Sequence, residues 1–327
     1  MWLPMLVEQQ IGNMQKNGFN LSAEDIYSVN NSSIKDAVVI FGGGCTGEIV
    51  SENGLVFTNH HCGYSSIQQL SSVEHNYLKD GFWSRSFEED LPVDGLSVRF
   101  VVRFEECTDK ILEGISDDTP IAQRDSLLDK NTDKVLETVE SLPFHKAMVE
   151  SFFGGNQFFL IEYAVYNDVR LVGTPPESIG KFGHDTDNWM WPRHTGDFSI
   201  FRIYADKDNN PADYSEDNVP YVPKKFFKIS RMGVSEGDFP FIYGCPGSTR
   251  EYAHSELVRY TAEVSDPAKV DIRTQRLDIQ NKYMSQSPGV RIQYASKKSS
   301  VANAWKKWQG EILGLRKNDI VSKKQAY

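Results

Sequence analysis

Residues 42–64, GGGCTGEIVSENGLVFTNHHCGY, constrain the chain more than any other stretch, because they dictate a hairpin and put chemistry at its end. Asn53-Gly54 is well able to take the positive φ angles of a tight turn, and the apolar runs Ile49-Val50 and Leu55-Val56-Phe57 flank it. The pattern predicts two short strands, the second ending in His60, His61 and Cys62. Cys45 and Cys62 lie near opposite ends of the hairpin, and folding it back brings them within reach of a disulfide. Such a bridge fixes the histidine beside it, and a fixed imidazole with a near-neutral pKa suits general base work. Two other readings stay open here. Two histidines and two cysteines are ordinary zinc ligands, although adjacent residues of a strand face opposite ways and do not easily share one ion. A hairpin with a buried histidine can also be purely structural.

A second dense stretch follows at residues 184–198, HDTDNWMWPRHTGDF, which holds three aspartates, two histidines, an arginine and two tryptophans. A base histidine needs a carboxylate on its far nitrogen to select the tautomer and stabilise the imidazolium. Asp185, Asp187 and Asp197 are the candidates. Short acidic side chains commonly cap their own turns, which is the expectation for Asp185 and Asp187.

Elsewhere the patterning predicts a mainly β protein with helical additions. Two short helices precede a strand at Ala37–Phe41, the second capped by Ser22 with an acid three residues on. A helix capped by Ser65 or Ser66 carries Ile67, Leu70, Val73 and Tyr77 on one face and ends near Gly81. Leu96, Val98, Phe100, Val102 and Phe104 alternate as the buried face of a strand, and 117–153 reads as helical. Strands are expected at 157–166, 169–172, 198–204, 226–229 and 238–243. Asp206 to Asn210 resembles a calcium loop only faintly, with proline where the sharp turn wants glycine, and reads as a hairpin turn. After Thr249 the character is helical: Val301, Trp305, Trp308, Ile312 and Leu315 form a seam that packs on other helices.

Net charge bounds the partners. The chain carries −10 overall, but residues 281–327 hold ten Lys or Arg against two Asp or Glu, a local +8 that leaves −18 for the part before. Those basic residues are interleaved with the apolar seam, so they read as a solvated helix face and no nucleic-acid binding is expected. There is no run of eighteen apolar residues, and no membrane span is expected. Four cysteines allow three complete pairings, and Cys107 and Cys245 stay unassigned.

GCTGEIVS followed by GLVFTNHHCGY, together with MWLPM at the start, SVNNSSIKDAVVIFGGGCTG and DTDNWMWPRHTGDF, resembles the bacterial dipeptidyl-peptidase 7 and dipeptidyl-peptidase 11 family. These are chymotrypsin-like serine peptidases. The likeness covers essentially all of this chain and less than half of such an enzyme. It implies a chymotrypsin-like first β-barrel with helical insertions over residues 1–250, then the opening helices of an inserted α-helical lid domain over 251–327. It places the triad histidine on His61, directly before the cysteine, and the triad aspartate on Asp197, 136 residues later. It also implies that Asn188, Trp189 and Asn303 hold the free amino terminus of a peptide substrate, from which a dipeptide is released without metal or cofactor. The nucleophile is expected downstream of Tyr327, because the chain has no G-x-S-x-G elbow and Ser248 lacks the glycine that follows such a serine. MWLPMLVEQQ is no signal peptide, and the resemblance implies a mature start with the leader removed upstream, a periplasmic or secreted location, and a homodimer when full length.

Overall fold

The computed structural model describes residues 2–247, 250 and 252–326, so Ser248 and the expected domain junction at Glu251 lie outside the described residues. The chain forms two compact units, each built from three separate segments. The first comprises Met1–Thr58, Pro92–Arg170 and Phe201–Cys245, and the second Asn59–Leu91, Leu171–Ile200 and Pro246–Tyr327. The helices after residue 252 therefore share a unit with the segments that carry His61 and Asp197.

The first unit is organised on an antiparallel sheet of β1 (Val38–Phe41), β2 (Cys45–Ile49), β3 (Leu55–Thr58), β4 (Val98–Glu106), β5 (His145–Phe152) and β6 (Gln157–Tyr166), in the order β3-β2-β1-β4-β6-β5. The hairpin is as expected: Glu48 faces Phe57 and Ile49 faces Val56 across β2 and β3. Gly54 has φ +66°, and a Cβ there would sit 2.9 Å from the carbonyl oxygens of Ile203 and Tyr221, so both conformation and space demand glycine. Alternation in β4 fails at one point. A bulge between Val101 and Arg103 resets the register against β6, turning Val102 outward while Val98 and Phe100 stay buried.

The expected long helix over 117–153 is half correct. Ile121–Leu136 is helical, but β5 pairs along its whole length with β6, and Ala147 and Val149 pack with Val135 and Phe158. Cross-strand pairing decides the matter, because a short apolar run has no conformation of its own. Residues 226–229 and 238–243 are not strands either. Phe227 donates its N–H to Ile49, and Phe227, Phe239 and Tyr243 pack on the core of Val7, Met14, Phe19 and Ile26. Their apolar character serves burial rather than a ladder. The capped helix Ala23–Ile26 is as read, with Ser22 and Asp25 exchanging hydrogen bonds. Asp206 accepts from the N–H groups of Asp208 and Asn210, making the expected turn.

In the second unit, helices Asp266–Met284 and Pro288–Lys317 pack through Leu277, Val301, Ala302 and Trp305, and Trp305 donates its indole N–H to Thr274 at 2.9 Å. Farther along the seam, Lys269 and Arg273 lie over the ring of Trp308. Among the described residues, no helix is long and apolar enough to cross a membrane.

Candidate active site

The two histidines do not end a strand. Strand β3 stops at Thr58, Asn59 stays extended at φ −70° and ψ 150°, and helix His60–Leu70 begins at once, with the Asn59 carbonyl accepting from the N–H groups of Cys62 and Gly63. HHCGY has no apolar periodicity, so the sequence carries no local sign of a helix ahead of the expected cap at Ser65 or Ser66. On a helix the two rings diverge by about 100°. His60 turns inward and is 1% exposed, whereas the His61 side chain is 67% exposed.

A helix start leaves N–H groups unpaired and favours a nearby anion. Here that anion is Asp197. Its Oδ1 accepts the backbone N–H of His61 at 2.9 Å, and its Oδ2 lies 2.7 Å from His61 Nδ1. Asn59 uses its side-chain amide to donate to the Asp197 carbonyl at 3.1 Å instead of capping its own helix, and the Ser199 hydroxyl donates to the Asn59 carbonyl at 2.9 Å. Burial pushes the Asp197 pKa up, but the hydrogen bonds from the His61 ring and N–H outweigh it and hold the group below the ordinary carboxylate value. The result is an ionised carboxylate on one nitrogen of an imidazole whose other side is open. That arrangement can take a proton from a hydroxyl brought to its outer face.

His60 has a different chemistry. Burial drives its pKa down to about 4, against opposing pulls from Asp197 and Glu177, so it is neutral at neutral pH, and among the described residues its Nε2 has no hydrogen-bond partner. Cys45 and Cys62 are disulfide-bonded, while Cys107 is a buried and Cys245 an exposed free thiol. A disulfide sulfur is not a thiolate, so the zinc reading loses the cysteine ligands it relied on.

The other three expected site residues also meet within this unit. Asn188 donates its side-chain amide to Asn303 Oδ1 at 2.8 Å, and the Trp189 indole N–H lies 3.0 Å from both Oδ1 and the backbone carbonyl of Asn303. Trp189 takes φ +61°, rare for a bulky residue and a sign that the surroundings determine its place. Arg193 donates to Asn188 Oδ1 at 3.2 Å and so sets which way that amide faces.

Sequence reasoning missed the residues that hold these groups in place. Glu177 accepts from Tyr64 at 3.0 Å and from Arg291 at 2.8 Å, linking helix His60–Leu70 to helix Pro288–Lys317. Asp185 is not a self-capping loop residue: it pairs with Lys181 at 3.0 Å and Lys298 at 3.4 Å. Asn59, Glu177 and Arg193 carry no local pattern, since each acts on a partner distant in sequence or through a loop without regular structure.

Residues 1–327 match the peptidase S46 family throughout. The chain belongs to the peptidase S46 family. Among its S46 relatives, an Asp/Glu-specific dipeptidyl-peptidase of Capnocytophaga gingivalis is 49% identical over 326 residues, covering 99% of this chain and 46% of that protein. Dipeptidyl-peptidase 7 of Porphyromonas gingivalis is 44% identical over 330 residues, covering 100% of this chain and 46% of that protein. The crystal structure of Porphyromonas endodontalis DPP11 in complex with the dipeptide Arg-Asp superposes with a TM-score of 0.91 at 44% identity, covering 100% of this chain and 48% of that one. This S46 chain thus spans about half the length of the curated relatives it matches.

Proposed function

We propose that this S46 chain is the histidine- and aspartate-bearing part of a serine-type dipeptidyl peptidase that releases dipeptides from free peptide N-termini. The observation that carries the reading is the carboxylate of Asp197 on Nδ1 of an otherwise exposed His61. In the complete protein a serine outside these residues attacks the second peptide bond, His61 takes its proton and returns it to the leaving amine, and Asp197 holds the imidazole and stabilises its charged form. Relatives named as dipeptidyl peptidases and the dipeptide complexes of DPP11 support the product assignment.

Asn188, Trp189 and Asn303 form the wall that reads the substrate's α-ammonium. Side-chain and backbone carbonyl oxygens supply the acceptors an ammonium needs on leaving water. In this reading residues 1–250 make a chymotrypsin-like barrel with insertions, residues 251–327 open the helical lid, and the complete protein is a periplasmic or secreted homodimer.

Covalent labelling tests the serine mechanism. A fluorophosphonate should modify one serine of the complete protein, fail to do so in the His61→Ala variant, and leave the 327-residue chain unlabelled. Labelling of this chain at Ser248 contradicts the assignment of the nucleophile.

A further inference from the structure

The pair His61–Asp197 joins two segments 136 residues apart, and something must hold both ends to within a few tenths of an ångström. One end leads to His60, the first residue of helix His60–Leu70, whose ring lies edge to face with Tyr64 at 5.5 Å. That ring lies against the α-carbon of Gly180, where a Cβ would meet Cδ2, Cγ and Nε2 of the imidazole at 2.4, 2.5 and 2.7 Å. No residue but glycine leaves room for it.

The other end leads to the same glycine. The Ile179 carbonyl accepts the N–H of Gly196 at 3.0 Å, and Thr195 donates its hydroxyl to the Gly180 carbonyl at 3.1 Å. Gly196 is itself pressed on Ile179, whose Cγ2 is 2.8 Å from where its Cβ would be. Residues 195 and 196 are thereby pinned to the turn at 179 and 180, and the next residue is Asp197. The contacts close a circuit from His61 through His60, Gly180 and Gly196 to Asp197 and back to His61.

We infer that His60 and Gly180 are the positioning pair of this site, the imidazole of His60 being the spacer that sets the distance between helix His60–Leu70 and the turn carrying Asp197. The inference rests on the reading of His61 and Asp197 as a catalytic pair, but its geometry can be measured without any peptidase activity. His60 acts here by shape rather than by proton transfer. Among the described residues its buried Nε2 has no hydrogen-bond partner, and Asp197 gives both carboxylate oxygens to His61.

The test uses the 327-residue chain with 15N-labelled histidine. Long-range proton–nitrogen correlations at alkaline pH report which ring nitrogen of His61 carries the proton, and Asp197 selects Nδ1. Gly180→Ala drives a methyl into the His60 ring and should remove that selection, as Asp197→Ala does. His60→Ala with Gly180→Ala, in which the methyl enters space vacated by the imidazole, should restore the Nδ1–H form at least in part. If Gly180→Ala alone does not fold, recovery of both folding and tautomer in the double variant supports the inference, and lack of recovery overturns it. An unchanged tautomer in folded Gly180→Ala also overturns it. In the complete protein the single variant should lower kcat by about tenfold or more with little change in KM, because a mispositioned base loses part of its contribution to the transition state. Loss of turnover with an intact tautomer would implicate a different defect and leave the proposed function standing.

Discussion

Asp197 holds His61 at two points, accepting the backbone N–H at 2.9 Å with one oxygen and contacting the imidazole Nδ1 at 2.7 Å with the other. The same carboxylate thus serves the start of a helix and the imidazole proposed as the base, and two substitutions separate the roles. Asp197→Asn keeps an acceptor for the N–H but loses the charge, so kcat of the complete protein should fall by about three to four orders of magnitude. Its stability should change little. Asp197→Ala should lose as much activity and a further ~1 kcal/mol of stability, the usual value of a helix cap. Urea unfolding of the two variants side by side checks this, and equal stability losses would show that the N–H contact contributes nothing.

His60 makes stability depend on pH. Its pKa is 6.5 when unfolded and about 4 in the native protein, so between those values the unfolded chain binds a proton that the folded one refuses. The contribution is complete above about pH 6.5 and declines as pH falls toward about 4, by at most roughly 3 kcal/mol. Asp197 and Asp185, both held below the ordinary carboxylate value of 3.8, act in the same direction at still lower pH. Unfolding measured at pH 7 and pH 4.5 should show the loss in the wild-type chain and a smaller one in His60→Gln. An identical pH dependence in that variant contradicts the assignment.

The disulfide between Cys45 and Cys62 closes a loop of about seventeen residues, which in the chain-entropy model stabilises by roughly 3 kcal/mol. Non-reducing peptide mapping should recover the two cysteines as one linked pair, and reduction should lower the unfolding midpoint. Two freely alkylated thiols before reduction would contradict it.

Asn188 and Asn303 should distinguish substrates by their amino termini. In the complete protein, alanine at either position should lower kcat/KM for a free-amine substrate by about 10- to 100-fold, the range of one lost charge-assisted hydrogen bond. An N-acetylated substrate should lose much less. Equal losses on both would mean that these residues do not read the amine.

How much of this was legible in the sequence depended on whether a local pattern existed. The Asn53-Gly54 hairpin, the Ser22 cap and the seam through Val301 and Trp305 were legible because turn chemistry and periodicity are local signals. The helical start at His60 was not, since it is defined by Asn59 and by the carboxylate of Asp197, far along the chain. β5 carries no local strand signal, because its conformation comes from pairing with β6. Asn188, Trp189 and Asn303 came only from family resemblance. No spacing within the chain announces that residue 303 accepts from residues 188 and 189, or that Gly180 must be empty for His60 to fit.

The most direct measurement is the product released by the complete protein from a peptide of five or more residues with a free N-terminus, identified by mass, for the wild type and for His61→Ala. Expected are successive dipeptides from the wild type and a rate lower by about three orders of magnitude or more for His61→Ala, with His60→Ala less damaging. Single amino acids or internal cleavage as the first products, or His61→Ala turning over at the wild-type rate, would contradict the assignment.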